Sequence, residues 1–278
     1  SVDTVSRRIY TIHFKNLETG KTSSKKIPNT SGSITWANDN KTIFYNLKDL
    51  ETLRTERVMR YDLSKDGSEK EIYYEEDETF SVYSYKTKSD KFIVIGSSAT
   101  LSQEYRYIDA SNPNGDFILF DQRVDGLEYS ISHFKNKWYI LTNKDNATNF
   151  KLMVCDEKST NKENWKEFIS HSEETLLEGI DVFDDYLVIT ERNNGLRRIN
   201  IKPWDKSESH YIKFDEEVYS LYSSTNPQMN TKKFRYNYSS MTTPNSVVEY
   251  DMVKRDTIIL KETEVLGGEF DKKNYHTM

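Results

Sequence analysis

Five apolar runs recur at a nearly constant interval along this chain: TIFYN, KFIVIG, KWYILT, YLVIT and KFRYNY. Counted from Ile43, Ile93, Tyr139, Leu187 and Phe234, they stand 50, 46, 48 and 47 residues apart. A polar turn precedes each run, and before each turn lies a first stretch: SITWA, SVYSYK, YSISHF, GIDVF or YSLYS. A third stretch follows each run (RVMRYDL, EYRYIDA, FKLMVCD, LRRINI, SVVEYDM), and then a fourth (KEIYYE, DFILFD, WKEFIS, SHYIKF, TIILKE). Asn194-Gly195, between YLVIT and LRRINI, supplies the positive φ angles of a two-residue hairpin, so these stretches read as antiparallel neighbours.

Four strands per repeat constrain the fold strongly. A lone four-stranded meander has two faces and can hide neither, so repeated meanders stack and bury one another, as in a β-propeller. The second strand of each meander, covered on both sides, then reads as a continuous apolar run rather than an alternation. The expected fold is all-β: a β-propeller of about five complete four-stranded antiparallel blades over 33–262, with a partial blade before them. IYTIHFKN and KTSSKKIP match a third and a fourth strand, so residues 1–32 are expected to be the remnant of a further blade. Aromatic residues make up 13% of the chain, which suits half-buried pleated surfaces.

Composition narrows the function classes. The net charge of −6 argues against a nucleic-acid partner, and no apolar stretch approaches the roughly 20 residues that cross a bilayer. The single cysteine, Cys155, excludes an internal disulfide and a cysteine zinc cluster. On the same ground the expected compartment is the cytoplasm, with the periplasm left open. His13, His133, His171, His210 and His276 are scattered over different repeats without a metal-binding spacing, and no cofactor is expected.

Six collinear stretches carry a resemblance: VDTVSRRIYTIHFKNLETG, IPNTSGSITWANDNKTIFY, SSATLSQEYRYIDA, WYILTNKDNATNFKLM, LLEGIDVFDDYLVITERNNGL and EVLGGEFDKKNY. Together they resemble the propeller of the oligopeptidase B (protease II) group, within the prolyl oligopeptidase family of serine peptidases. The resemblance implies a seven-bladed parent propeller that caps an α/β-hydrolase domain carrying Ser, Asp and His. It also implies a gate that admits short peptides, with cleavage after Lys or Arg. Residues 263–278 are then the start of the return to that catalytic domain, which is the expected partner along with short basic peptides. No G-x-S-x-G elbow is present; Gly96-Ser97-Ser98-Ala99 lacks the second glycine, so no catalytic residue is expected in this chain.

Candidate contacts lie in turns. The acidic clusters Glu75-Glu76-Asp77-Glu78 and Glu173-Glu174 each fall between a fourth strand and the next first strand, and both are expected on one rim of the ring. They either draw basic peptides or are simply solvated loop charges. Arg192, Asn193 and Asn194 form either an interdomain or substrate loop or a plain two-residue turn. Gly267-Gly268 is either a hinge toward the catalytic domain or an ordinary turn. Two other readings stay open: a stand-alone interaction propeller, and a five-bladed glycoside hydrolase, which needs carboxylates converging on the axis. An opened ring is expected to leave apolar faces, one bearing Ile9, Ile12 and Phe14, through which the fragment associates with itself.

Overall fold

In the computed structural model, residues 1–64, 68–205, 207–268 and 274–275 are described. The chain forms two compact units, Ser1–Tyr129 with Lys158–Asn164, and Ser130–Glu157 with Trp165–Met278. In the first unit, β1 (Tyr10–Lys15), β2 (Thr22–Trp36), β3 (Thr42–Lys48), β4 (Thr55–Asp62) and β5 (Glu69–Tyr74) join in sequence order into one sheet. A second sheet follows in the same manner: β6 (Ser81–Lys86), β7 (Phe92–Ser98), β8 (Gln103–Asp109) and β9 (Ile118–Leu119).

The other unit repeats the pattern. Its first sheet is β10 (Tyr129–Phe134), β11 (Lys137–Thr142), β12 (Lys151–Asp156) and β13 (Lys166–Ile169). Its second is β14 (Thr175–Val182), β15 (Tyr186–Asn193), β16 (Leu196–Pro203) and β17 (His210–Tyr211). Its third is β18 (Tyr219–Ser223), β19 (Lys233–Ser240), β20 (Ser246–Asp251) and β21 (Asp256–Glu262). Every pairing within these sheets is antiparallel, so the five predicted meanders are present in order.

The second strands form the cores, as their unbroken apolar runs require. Ile43, Ile93, Tyr139, Leu187 and Phe234 are all buried. Phe44 packs with Ile93 and Ile95 between the two sheets of the first unit, and Val188 packs with Phe234 and Tyr236 between two sheets of the other. Gly96 is fixed by its neighbour across the sheet: a Cβ built on it would fall 2.4 Å from the ring of Tyr83, its ladder partner. The predicted fourth strands DFILFD and SHYIKF shorten to two residues each, because an outer strand has a ladder on one side only.

At the amino end, the two strands read as a blade remnant are β1 and the first half of β2, and they are continuous with the sheet that follows. No separate sheet divides residues 1–32 from residue 33 onward, because β2 runs unbroken through the expected boundary. Its early residues pair with β1 (Ile12↔Ile27, His13↔Lys26) and its last residues with β3 (Ile34↔Tyr45, Trp36↔Ile43). The ladder is irregular between Thr30 and Ile34, where Gly32 takes φ +89°. In a flat sheet β1 and β4 would lie about 14 Å apart, three strand spacings. Yet Phe14 on β1 stacks on Tyr61 of β4 with ring centroids 6.2 Å apart. The first half of β2 therefore folds β1 back over the face of its own sheet, and Ile12 and Ile27 share a core with Ile43, Tyr45 and Tyr61. Ile12 is fully buried, whereas Ile9 and Phe14, the other two residues expected on the apolar face, are partly buried.

Candidate functional site

The first strand of each sheet is an edge, and its carbonyls need donors from elsewhere. Side chains of the preceding sheet supply several. Thr35 Oγ1 donates to the Ser84 carbonyl on β6 at 3.0 Å, Arg54 Nη1 to the Phe80 carbonyl just before β6 at 3.0 Å, and Arg197 Nη1 to the Leu221 carbonyl on β18 at 3.2 Å. The candidate residues other than Gly267 and Gly268 lie in or beside the turns that flank these joints.

The cluster 75–78, joining β5 to β6, splits into two kinds of carboxylate. Glu75 is buried, whereas Glu76, Asp77 and Glu78 are exposed. Glu75 Oε2 accepts from Arg123 Nη2 at 2.5 Å, Ser97 Oγ at 2.5 Å and the Tyr73 hydroxyl at 2.7 Å, and Oε1 accepts from the Asp77 amide at 3.1 Å. Burial alone would raise its carboxyl, but the donors Arg123, Ser97 and Tyr73 outweigh it and bring the group down to about 2. Arg123 also lies 3.5 Å from the Phe80 ring centroid, and its amide donates to the buried Glu104 at 3.2 Å. Glu104 pairs in turn with Arg106, which stacks on Tyr73. Ser97, from the stretch that most nearly resembles a nucleophile elbow, thus commits its proton to a permanent carboxylate. Sequence reasoning missed Arg123, because nothing in the loop DQRVDG marks a cation bound for a distant acid.

Glu76 and Glu78 line an open hollow of about 810 Å³ with Asp49, Glu51, Arg54 and Arg57. Arg57 is engaged there: its guanidinium bridges Glu56 and Glu71 and lies over Tyr74 at 4.4 Å. The hollow therefore presents exposed carboxylates beside Arg54 and Arg57, both held by acids, and beside Lys48 and Arg8, where Lys48 Nζ donates to the Arg8 carbonyl.

In the other unit, the structure brings two of the predicted groups together. Asn193 Nδ2 donates to the Glu174 carbonyl at 3.0 Å, fastening the start of β14 to the end of β15. Glu173 is exposed, its carbonyl held by Asn149 Nδ2 at 2.9 Å. Arg192 Nε and Arg197 Nε, on the two strands of one hairpin, share the carboxylate of Glu178 at 2.7 and 2.5 Å. Asn194 (φ 50°) and Gly195 (φ 81°) make the two-residue turn between them. A second group absent from the sequence reading is Glu216, which accepts from the hydroxyls of Tyr238, Ser240, Thr242 and Thr243. Burial raises its carboxyl, yet the four hydroxyls hold it at about 2.

Gly267 takes φ +97° and, like Gly268, is exposed with no atom within 4 Å of a Cβ built on it. Of the segment 263–278, residues 269–273 and 276–278, His276 included, lie outside the described residues. Among the described residues, no group of three His, Cys, Asp or Glu side chains is placed to hold a metal ion.

Sequential four-stranded meanders, knit together by side chains at their edges, define a β-propeller class of domain. The chain belongs to the family described as prolyl oligopeptidase, N-terminal beta-propeller domain, which it matches over residues 1–263. It is 37% identical over 276 residues to dipeptidyl aminopeptidase BI of Pseudoxanthomonas mexicana, covering 99% of this chain and 38% of that protein. It is 30% identical over 269 residues to protease 2 of Moraxella lacunata, covering 96% of this chain and 38% of the relative. Among solved structures, oligopeptidase B from Leishmania major matches with a TM-score of 0.88 and 28% identity, over 97% of this chain and 39% of that one. The Trypanosoma brucei oligopeptidase B gives 0.84 and 25%, over 96% and 38%. The chain thus spans well under half the length of the relatives it matches.

Proposed function

We propose that this chain is the non-catalytic gating domain of a serine peptidase resembling oligopeptidase B, which hydrolyses short peptides after Lys or Arg. The observation that carries the reading is the pairing of a propeller-domain match over 1–263 with coverage of 38% of the first relatives, leaving the larger part of such a protein for a catalytic domain. Glu76 and Glu78 are the exposed carboxylates offered to a basic peptide there, in a hollow of mixed charge that Arg8, Lys48, Arg54 and Arg57 also line. The open φ of Gly267 supports a hinge toward that domain. The test uses the full-length protein containing this chain, given an amino-blocked short peptide with one Arg and a folded protein rich in Arg. Cleavage of the peptide after Arg with the folded protein spared is expected; equal cleavage of both removes the gating role.

A second reading rests on the higher identity to dipeptidyl aminopeptidase BI. In that case the parent removes dipeptides from free amino ends. The same blocked peptide separates the two, because an enzyme that needs a free amino group leaves it intact.

A further inference from the structure

The sequence contains two Asn-Gly pairs, Asn114-Gly115 and Asn194-Gly195, and the fold treats them differently. Both asparagines are exposed. Gly115 lies in a tight turn where its amide donates to the Asn112 carbonyl at 3.2 Å, and a Cβ on it would meet Asn112 Nδ2 at 3.0 Å. Gly195 is the second residue of a two-residue hairpin loop. The ladder closes at Asn193↔Leu196, so the Gly195 amide points outside it, and no atom lies within 4 Å of a Cβ built there. The neighbouring Asn193 side chain is held by Glu174 and Thr175, which leaves Asn194 alone at the tip.

We propose that Asn194-Gly195 is a site of spontaneous covalent modification, at which Asn194 converts to aspartate and isoaspartate with water as the only co-reactant. The Gly195 amide nitrogen, having lost its proton to base, attacks Cγ of Asn194. A bond forms from that nitrogen to Cγ, the bond from Cγ to Nδ2 breaks, and ammonia leaves from a cyclic imide. Water then adds to one imide carbonyl and opens the ring, giving aspartyl or isoaspartyl linkage at Asn194 and a net exchange of NH₂ for OH. At Asn114 the same attack first requires the Gly115 hydrogen bond to break. The difference matters locally, because the isoaspartyl linkage adds a methylene to the backbone and displaces the Gly195 carbonyl that Arg192 Nη1 holds at 2.9 Å. The new carboxylate would also add a negative charge at the hairpin tip.

The test incubates the folded protein in mildly alkaline buffer beside the same protein in guanidinium, for as long as the denatured protein takes to convert half of its Asn-Gly pairs. Peptide mapping by mass spectrometry then scores each site. Both sites should react alike in the denatured protein. In the folded protein Asn194 should react about tenfold faster than Asn114, the factor expected when one site must first give up a hydrogen bond. An Asn194→Gln variant should lose the modified hairpin peptide while Asn114 is unchanged. Equal rates at the two sites in the folded protein, or faster reaction at Asn114, would overturn the assignment.

Discussion

Arg123 reaches from the loop after β9 to Glu75 at the end of β5, donating to its carboxylate at 2.5 Å while its guanidinium covers the Phe80 ring. The contact fastens one sheet of the first unit to the next through a buried charge pair. Breaking such a pair from one side strands the other charge. Arg123→Met should therefore destabilise the protein by about 3–5 kcal/mol, and adding Glu75→Gln should recover part of that loss. Urea unfolding of the single and double variants checks this; a double variant less stable than Arg123→Met alone would contradict it.

Acid should act on the same residue. The Glu75 carboxyl is depressed from its ordinary 4.5 to about 2 in the folded state. A depressed carboxyl stabilises the fold fully above its unfolded value and loses that contribution as pH falls toward the folded value. The window is therefore from about 4.5 down to about 2, and the contribution at stake is about 3 kcal/mol. Unfolding free energies across this range should fall less steeply in Glu75→Gln than in the parent, and equal slopes would count against the assignment.

Cys155 should be silent in the folded protein. It lies on β12, buried, and burial with the nearby Asp156 pushes its thiol up to about 12. Since the thiolate is the reactive form, a thiol reagent at neutral pH should label it only on unfolding. Labelling that tracks the loss of β structure by circular dichroism is the expected result; rapid labelling of the native protein is not.

The stacked pair Phe14 and Tyr61 tests the folding-back of β1. Replacing each with Leu, singly and together, should give a coupling of about 0.5–1.5 kcal/mol in a double-mutant cycle. A coupling of zero would mean that β1 lies beside its sheet rather than over it.

The sequence made the second strands legible because each is a run of six to eight residues whose burial repeats at a fixed interval. Ile93 and Leu187 announce their place without any long-range information. The turn at Asn194-Gly195 was equally plain, since few residue pairs accept two positive φ angles. The polar joints were not. Glu75 looks like Glu76 and Glu78 in a string of acids, and only the path of a loop some fifty residues later decides that it alone is buried against Arg123. The fold of β2 was hidden for a related reason: a strand that bends at Gly32 and serves two layers has the same local pattern as two strands in succession.

That bend ties together events that most β proteins keep apart. Ile27 and Thr35 lie in one strand, but their amides belong to ladders in different layers. Exchange of their protons with solvent should proceed through one shared opening, with the two sites slowing and quickening together under denaturant. A polypeptide rearranged to begin at Ser33 would lose that linkage and let the outer layer peel away, whereas one opened at Asn194 would part only a hairpin tip.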